Sequence, residues 1–276
     1  MTNLDAPAAQ AAGECVSSLL VAAAQLPLYA EPGCSPQRVL DQARAWAARL
    51  RVRVAPDASP FARLRLLNHF FFGELGFAGA GDDYQSAHNS YLHRVIERRL
   101  GIPITLSILY MELGRAAGLK LEGVSFPGHF LVRLGLNAGT VFIDVYGGGA
   151  TLSTENLRQR LRATLPGEPD PPLAPYLRAA SEREIMARML RNLKAIHWQA
   201  RQWEAALEVV NRLVELLPEA AEERFDRAQL FERLECPRAA AIDLAACLSA
   251  SAAPTADATE VERRLAILKQ AASMLH

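Results

Sequence analysis

The sequence predicts an α+β fold: a helical N-terminal part, a core in which a small antiparallel sheet packs against a buried central helix, and an all-α C-terminal domain. Three observations predict this order. Apolar residues recur at three- and four-residue spacing in the first 118 residues, which is typical of amphipathic helices. Short β-branched and aromatic runs separated by turn residues follow, which is typical of strands. A segment with five prolines in ten residues, 166–175, then precedes a tail with helical periodicity only.

These changes of pattern set the predicted domain limits. We expect a first domain at residues 1–165, a proline-rich linker at 166–180 and helical repeats at 181–276. Hydrophobic residues make up 50% of the 276 positions and charged residues 22%, as in folded proteins. Lys plus Arg and Asp plus Glu both number 30, so no overall field attracts nucleic acid or a membrane, and we expect neither as a partner. The oligomeric state stays open.

Three further features predict a cytoplasmic protein. The four cysteines form no C-x-x-C pair, which favours reduced thiols over a disulfide framework. No basic residue precedes Arg38, so the charged start of a secretory signal is not expected. No apolar run reaches 18 residues, so no membrane span is predicted. We also expect no cofactor.

Serine and proline mark the starts of the N-terminal helices. Three helices are predicted at residues 15–25, 35–51 and 59–77. The second opens with Ser35 as the N-cap and Pro36 at the first helical position, and the third repeats this signal. The residues of the third helix expected to face the core are Leu64, Leu67 and Phe71.

The next stretch predicts a loop, a fourth helix and the central helix. The small and acidic residues of FAGAGDDYQS indicate the loop. Asn89 is predicted to cap a helix that runs through Leu100 and ends at Gly101. Pro103 then begins a helix over 104–118 that is apolar on nearly every side. Such a helix is usually the buried centre of a domain.

The C-terminal tail carries a repeat of 34 residues. WEAALEVVNRLVELLP and PRAAAIDLAACLSA superpose at this offset, so that Ala206 falls on Ala240 and Val210 on Leu244. This period is typical of tetratricopeptide repeats, whose helices pair closely at a small residue. The segment 261–275 is expected to cap the stack. An ordinary helical bundle is the alternative.

A histidine and an aspartate stand on two neighbouring predicted strands, HFLVRL and TVFIDV. A turn placed between Leu136 and Asn137 makes a hairpin in which His129 faces Asp144. Facing residues have Cβ atoms about 5 Å apart, so the carboxylate can accept a hydrogen bond from the imidazole and fix its tautomer, as for a general base. The alternative is a core histidine, with the aspartate capping the turn before Gly147.

The stretch from Asp83 to Asp144 resembles the transglutaminase-like superfamily. The residues that carry the resemblance are DYQSAHNSYLHRVIERRLGIPITLSILYMELGRAAGL, then GVSFPGHFLVR, then FID. The chain resembles in particular a bacterial SirB-type family, which joins such a domain to C-terminal tetratricopeptide repeats. The resemblance implies a papain-like core whose strands pack against the helix after Gly101, and it covers most of the chain.

The resemblance also implies where a nucleophile is missing. Catalytic members of the superfamily carry Gly-x-Cys at the start of the central helix and Arg-x-x-Gly further along. Residues 115–118 match the later element, which places residues 101–103 in the Gly-x-Cys slot. The nucleophile position is therefore Pro103, which has neither a nucleophilic atom nor an N–H. His129 and Asp144 match the other two triad positions, and the SirB-type family shares the Gly-Ile-Pro form.

Other residues offer weaker chemistry. Thr105 and Ser107 lie in the first turns of the central helix, where hydroxyls bonded to the backbone are expected. His88 and His93 are five residues apart and do not share a helical face, so no metal site is predicted.

The cysteines also fall short of replacing the nucleophile. Cys34 stands just before a helix N-terminus, where a thiolate is stabilised, but nothing in the sequence brings it to His129. Three cysteines lie in helical apolar patterns and are expected in the core: Cys15, Cys236 and Cys247.

The family pattern NSYL…ERR-G-IP supplies polar residues beside the central helix. Buried polar groups must be paired, so the expected role is structural. A second hypothesis is a pocket wall beside the histidine and the aspartate, in which an arginine receives an anionic group or a peptide carboxylate. The pocket candidates are Asn89, Tyr91, Glu97, Arg98, Arg99, Thr105 and Ser107.

Three functional hypotheses follow. The first is a protein- or peptide-binding module, in which the resemblance implies a transglutaminase-like pseudoenzyme domain and the repeats supply an interaction surface. The second is an amide hydrolase that uses His129 and Asp144 to activate water or a substrate group. The third is a purely structural use of the pair.

Overall fold

A computed structural model describes residues 16–165, 171–249 and 258–273 of the chain. The chain divides into two units after Met186, within a helix. Residues 166–170 lie outside the described residues, so the predicted domain limits at 165 and 181 stay a prediction. The following 3₁₀ turn, Ala174–Leu177, contributes apolar side chains to a cluster of the first unit.

The first unit begins with helices whose starts are set by proline. Its described residues form six α-helices: α1 (Ser18–Gln25), α2 (Pro36–Arg51), α3 (Pro60–Asn68), α4 (Leu92–Arg98), α5 (Pro103–Ala116) and α6 (Thr154–Thr164). Pro36 and Pro60 hold the first helical positions of α2 and α3, as predicted. Ser59 caps α3 by accepting a hydrogen bond from the Ala62 N–H at 3.2 Å, whereas the Ser35 hydroxyl makes no capping bond.

Helix α3 continues into a π-helical turn, His69–Glu74. The three residues that the sequence places in the core, Leu64, Leu67 and Phe71, are all buried. The predicted third helix is therefore confirmed as one apolar face that extends across this change of helix type.

The central helix α5 is buried along nearly its whole length. Every residue from Pro103 to Gly114 is buried, which confirms the prediction of a buried centre. Glu112 is charged, and its Oε2 accepts hydrogen bonds from the Ser17 hydroxyl at 2.6 Å and the Ser17 N–H at 3.2 Å. Donors of this kind offset the cost of removing a carboxylate from water.

The strands form two small sheets beside α5. They are β1 (Ala78–Gly79), β2 (Leu100–Gly101), β3 (Leu121–Val124), β4 (Leu131–Leu136), β5 (Gly139–Asp144) and β6 (Ala150–Leu152). An antiparallel sheet has the order β3-β4-β5-β6, and β1 pairs with β2 in parallel. Strands β1 to β4 contact α5, which is the predicted packing of sheet on central helix.

The fourth helix differs from the predicted one at both ends. Helix α4 begins three residues after Asn89 and ends at Arg98, so a helix capped by Asn89 and running through residue 100 is wrong. Arg99 takes a left-handed conformation with φ of 60°. Its guanidinium stacks over the rings of Trp46 and Phe77, 4.6 and 5.1 Å from their centroids. These cation–π contacts come from distant parts of the sequence, and strand β2 follows them directly.

The hairpin of β4 and β5 has a different register from the predicted one. Leu136 is the last paired residue of β4, and a two-residue turn at 137–138 follows. The predicted turn lies one residue too early, because side-chain alternation does not specify which residues close a hairpin. The observed register extends to place His129 opposite Tyr146, so His129 approaches Asp144 diagonally and not face to face.

The second unit consists of helices in its described residues. Helix α7 (Glu182–Gln199) crosses the division, and the others are α8 (Trp203–Leu216), α9 (Ala221–Arg233), α10 (Pro237–Ser249) and α11 (Ala258–Ser273). The equivalent positions of the repeat, Ala206 with Ala240 and Val210 with Leu244, are all fully buried. This matches the close helix pairing that the 34-residue period predicts. No described helix has both the length and the apolar character that a membrane crossing requires.

Ion pairs tie the helices of the second unit together. The Glu223 side chain is 1% exposed and accepts from Arg191 Nε and Lys194 Nζ, both at 2.7 Å. Arg227 holds the buried Asp243 through two nitrogens at 2.7 Å each. A buried carboxylate without its cation is strongly destabilising, so these pairs fix which helices are neighbours.

The cysteines of the tail differ in burial. Cys247 is 1% exposed within α10, as predicted. Cys236 is exposed, so its predicted core position is wrong. It precedes Pro237, where α10 begins, and follows Glu235, whose φ of 56° ends the preceding helical run. Cys15 lies outside the described residues.

The turn after β5 is built from glycines. Gly148 and Gly149 have φ values of 74° and 80°, and the Gly149 N–H donates to the Asp144 carbonyl at 2.8 Å. A Cβ on Gly149 would lie 2.6 Å from Asn68 Oδ1 and 2.7 Å from the Phe72 ring, whereas a Cβ on Gly148 would meet open space. The backbone conformation favours glycine at both positions, but only at Gly149 do neighbouring side chains also leave no room for a Cβ.

We expect Gly149→Ala to lower the free energy of unfolding by about 3 kcal/mol, because the left-handed backbone costs about 1–2 kcal/mol and the overlap with Asn68 and Phe72 adds to it. Gly148→Ala is the matched control and should cost only about 1 kcal/mol. Urea unfolding followed by circular dichroism measures both. Equal losses of unfolding free energy in the two variants would show that Asn68 and Phe72 do not exclude a Cβ at position 149.

Candidate functional site

A tight turn positions His129 ahead of β4. The His129 N–H donates to the Phe126 carbonyl at 3.1 Å, with Pro127 and Gly128 between them. Gly128 has φ of 66°, which a type II turn requires at its third residue, and proline suits the second. The turn ends just before the first paired residue of β4, so the imidazole lies at the end of the sheet.

Asp144 ends β5 and holds three donors. Its Oδ1 accepts from His129 Nε2 at 2.8 Å and from the Gly147 N–H at 3.0 Å. Its Oδ2 accepts from Arg160 Nη2 at 2.7 Å. The Asp144 side chain is 5% exposed, that of His129 16% and that of Arg160 40%. One buried carboxylate therefore joins the strand end, the glycine turn and helix α6.

The charge of this carboxylate decides the tautomer of the histidine. Burial raises the pKa of Asp144, but the hydrogen bond and charge of His129, the Gly147 N–H and the Arg160 guanidinium lower it more, to about 2. Because Asp144 is ionised at neutral pH, His129 Nε2 carries the proton of their hydrogen bond. His129 Nδ1 is then the atom that can exchange a proton, and it has no hydrogen-bond partner in the described part of the chain.

Tyr146 connects His129 to strand β1 and the residues just after it. Its ring meets the imidazole edge-to-face at 6.1 Å, and its hydroxyl accepts from the Gly81 N–H at 3.2 Å. The ring packs closely against Gly79, where a Cβ would approach it to 2.6 Å. Gly79 pairs with Gly101, two residues before α5 begins. The site therefore lies against β1, whose partner strand β2 leads into α5.

The two hydroxyl groups near the implied nucleophile position form hydrogen bonds with the backbone. Pro103 is the buried first residue of α5. The Thr105 hydroxyl lies 2.8 Å from the Asn89 carbonyl and accepts from the Ile102 N–H at 3.2 Å. The Ser107 hydroxyl donates to the Pro103 carbonyl at 2.7 Å. The two hydroxyls are thus bonded to the backbone, as predicted for them.

Three of the pocket candidates, Asn89, Arg98 and Thr105, come together with Asp83. Asn89 Oδ1 accepts from Arg98 Nη1 at 3.0 Å, and the Asn89 amide donates to the Asp83 carbonyl. Arg98 also pairs with the Asp83 carboxylate. Asn89 is fully buried, so this mutual bonding supports the structural role.

The other candidates lie in separate surroundings. The Tyr91 hydroxyl is 2.8 Å from that of Tyr29, and the exposed Glu97 pairs with Arg94 at 3.2 Å. Arg99 stacks on rings, and burial lowers its pKa. Within the described residues, no hydrogen bond or ion pair joins any of the seven candidates to His129 or Asp144. A pocket wall made of them stays a prediction.

Cys34 lies in a cavity of its own, about 430 Å³ in volume. Burial raises the pKa of its thiol, and the charge of Glu31 raises it further. The expected stabilised thiolate is therefore wrong, because the helix end is outweighed by desolvation and by a neighbouring carboxylate. Glu31 is itself held by Arg94 at 2.6 Å and His93 at 3.0 Å.

Neither the cavities nor metal-ligand clusters point to His129. Two further cavities, of about 360 and 550 Å³, lie beside α5, and neither these nor the Cys34 cavity is lined by His129 or Asp144. The described residues contain no group of three or more His, Cys, Asp or Glu side chains placed to hold a metal ion.

Two features of the site escaped the sequence analysis. Arg160 is 16 residues from Asp144 on another element, and Tyr146 follows the FID run directly. The sequence gives one indirect indication of such a residue, because a buried carboxylate requires a cation or several hydrogen-bond donors. That rule predicts a partner for Asp144 but does not say which arginine supplies it.

Comparison with known protein families gives two matches along the chain. The transglutaminase-like superfamily matches residues 37–191, more than half of the chain, and a tetratricopeptide repeat family matches residues 193–266. No solved structure gives a significant match.

Several bacterial proteins are similar over long stretches. A UPF0162 protein of Pseudomonas aeruginosa is 33% identical over 244 residues, 87% of this chain and 85% of its own. A UPF0162 protein of Xylella fastidiosa is 40% identical over 174 residues, and the match spans 62% of each chain, less than two thirds. Protein SirB1 of Salmonella typhimurium is 26% identical, over 75% of this chain and 77% of its own. The chain therefore belongs to the transglutaminase-like superfamily, in the SirB-type family that adds C-terminal tetratricopeptide repeats.

Proposed function

We propose that this protein is a protein- or peptide-binding module built on a transglutaminase-like domain that no longer forms a covalent intermediate. The observation that carries the proposal is an ordered His129–Asp144 pair, 2.8 Å apart, in a chain whose implied nucleophile position is the buried Pro103. The tetratricopeptide repeats supply the second interaction surface of the proposal. We also propose that the protein is cytoplasmic, which is supported by the cysteine pattern and by the lack of an apolar run of 18 residues in the sequence.

The surroundings of the pair support binding over nucleophilic catalysis. A nucleophile needs a base within hydrogen-bond reach, and the hydroxyls of Thr105 and Ser107 are given to backbone atoms. Asp144 accepts hydrogen bonds from three donors, which is the environment of an anchor that fixes side chains in place. His129 keeps Nδ1 as a hydrogen-bond acceptor when neutral. That atom suits a backbone or side-chain N–H of a bound peptide.

A second candidate is a hydrolase in which His129 activates water. The observation that favours it is again His129 Nδ1, which has no partner in the described residues and belongs to a ring that is 16% exposed. General-base activation of water requires such an atom within reach of a bound substrate. His129 lines none of the three described cavities, so a substrate bound in one of them would not contact this histidine.

His129→Ala separates the two candidates. The purified full chain and the variant are incubated with a library of peptide amides and scanned for hydrolysed products by mass spectrometry. We expect no turnover in the wild type above the level of the variant, because no hydroxyl or thiol of the described residues is hydrogen-bonded to the His129 ring. Turnover in the wild type that is lost in a variant with an unchanged melting temperature would establish the hydrolase and overturn the binding proposal.

Asp144→Asn tests the anchoring role through acid unfolding. The pKa of Asp144 falls from its ordinary 3.8 to about 2 on folding, so its contribution to stability is fully present above pH 3.8 and is lost as the pH falls through 2. The shift corresponds to about 2 kcal/mol. We expect the wild type to lose this much more unfolding free energy than the variant between pH 5 and the acid limit, measured by urea titration at each pH.

Glu184→Gln is the control for that measurement. The hydrogen bond from Arg178 and the Ser181 N–H also lower the pKa of Glu184 to about 2, but its side chain is 39% exposed. Solvent screens an exposed pair, so this variant should retain nearly the whole acid dependence of the wild type. Equal behaviour of the two variants would mean that burial of Asp144 carries no special weight.

A further inference from the structure

The Arg160 guanidinium lies at the edge of the His129 site with most of its donors unused. Its Nη2 donates to Asp144 Oδ2 at 2.7 Å, and its side chain is 40% exposed. A guanidinium carries five N–H groups. In the described part of the chain, Asp144 is the one group to which the Arg160 side chain is bonded. Several N–H groups of Arg160 are therefore available to a ligand that arrives from solvent.

His129 and Arg160 bind the two oxygens of the same carboxylate. His129 Nε2 lies 2.8 Å from Oδ1 and Arg160 Nη2 lies 2.7 Å from Oδ2, so these two nitrogens are less than about 8 Å apart. The Nδ1 of a neutral His129 accepts a hydrogen bond, whereas Arg160 only donates. A ligand that contacts both side chains must therefore offer an N–H group and an acceptor close together.

The electrostatics of the site favour an anionic acceptor. The Asp144 side chain is 5% exposed and that of Arg160 is 40% exposed, so a ligand from solvent meets the guanidinium before it meets the carboxylate. The donors around Asp144 hold the pKa of this buried carboxyl at about 2, so their positive potential outweighs the cost of desolvation. Arginine binds a carboxylate through two parallel hydrogen bonds, which are stronger than those to a neutral carbonyl.

We propose that His129 and Arg160 together bind the C-terminal end of a peptide. The terminal carboxylate pairs with the N–H groups of Arg160 that face solvent, and a backbone N–H of the last two residues donates to His129 Nδ1. Two residues of extended chain span about 7 Å, which suits the separation of the two side chains. The inference rests on the proposed binding function and specifies its partner as a free C-terminus.

The test compares three peptides with the purified full chain by fluorescence anisotropy. The first is fluorescein-Gly-Gly-Ala-Leu with a free C-terminus, in which the terminal carboxylate is the only anionic group besides the label. The second is its C-terminal amide, and the third carries N-methyl groups on its last two residues. We expect the amide to bind about tenfold more weakly than the acid, because a charge-assisted pair is lost. N-methylation should weaken binding about threefold or more, because His129 loses its donor.

Variants assign these two effects to the two side chains. Arg160→Gln should lower the affinity for the acid to that for the amide and leave the amide unchanged, and His129→Ala should remove the effect of N-methylation. Arg158→Gln is the matched control, because Arg158 is exposed on the same helix and makes no hydrogen bond to Asp144 in the described structure. It should change the affinity less than about twofold. If Arg160→Gln fails to fold, Arg160→Lys keeps a cation for Asp144 and carries the same comparison.

Several results would overturn the proposal. They are no binding of the acid at millimolar concentration, equal binding of acid and amide, and an Arg160→Gln variant that weakens both equally, which would make the role of Arg160 purely structural. Acetate that displaces the peptide as well as N-acetyl-leucine does would show a simple anion site. An amidated peptide with an internal glutamate that binds as well as the acid would replace the C-terminus by an acidic side chain.

Failure here and failure of the binding function are distinguishable. Equal binding of acid and amide removes the carboxylate contact and leaves the hydrolysis comparison of His129→Ala unchanged. Hydrolysis that depends on His129 would overturn the binding function whatever the peptide terminus does.

Discussion

The arrangement of the first unit around its site depends on one buried carboxylate. Asp144 is nearly inaccessible to water, yet its pKa is far below the ordinary value, because three donors from different elements face its two oxygens. An isolated carboxylate in this place would take up a proton or unfold its surroundings. The glycine turn, the imidazole and helix α6 must therefore all be in place before β5 can end where it does. The site is a structural junction as well as a candidate binding point.

The start of the central helix depends on a second constraint. Proline suits the first helical position because its φ is already helical and its missing N–H is not needed there. The Ile102 N–H is instead satisfied by Thr105, whose hydroxyl in turn reaches the Asn89 carbonyl. The Thr105 hydroxyl therefore joins the start of α5 to the segment that precedes α4. The helix start is therefore stabilised by a proline at its first position and by a hydroxyl that bonds the preceding backbone.

Sequence patterns predicted what local chemistry determines. The buried helix α5, the proline-led starts of α2 and α3, and the buried repeat positions follow from apolar spacing and capping preferences. The errors have non-local causes. Helix α4 ends early because Arg99 stacks on rings from other segments, and the pKa of Cys34 rises because burial outweighs the helix end. The predicted register of the hairpin was wrong by one turn position, because Asn-Ala-Gly is compatible with two positions of the turn. Only packing of the whole sheet selects one of them.

The candidate site itself was half predictable. The pairing of His129 with Asp144 followed from strand signals and family resemblance, and it survived the wrong register because a diagonal neighbour is still within reach of a long side chain. Arg160 and Tyr146 were missed because nothing local marks either residue as a partner. The seven pocket candidates share a sequence motif, but their side chains bond to each other, to the backbone or to separate partners. A shared motif shows a common family origin and does not by itself show a common site.

His129 lines none of the three cavities described above. In an enzyme, the group that exchanges a proton lines the space where the substrate binds. Here His129 lies at the end of a sheet against Tyr146, whereas the described cavities open beside other residues of the first unit. Under the proposed binding function the ordered pair and a cavity need not coincide, because Asp144 anchors three elements whether or not a ligand contacts His129.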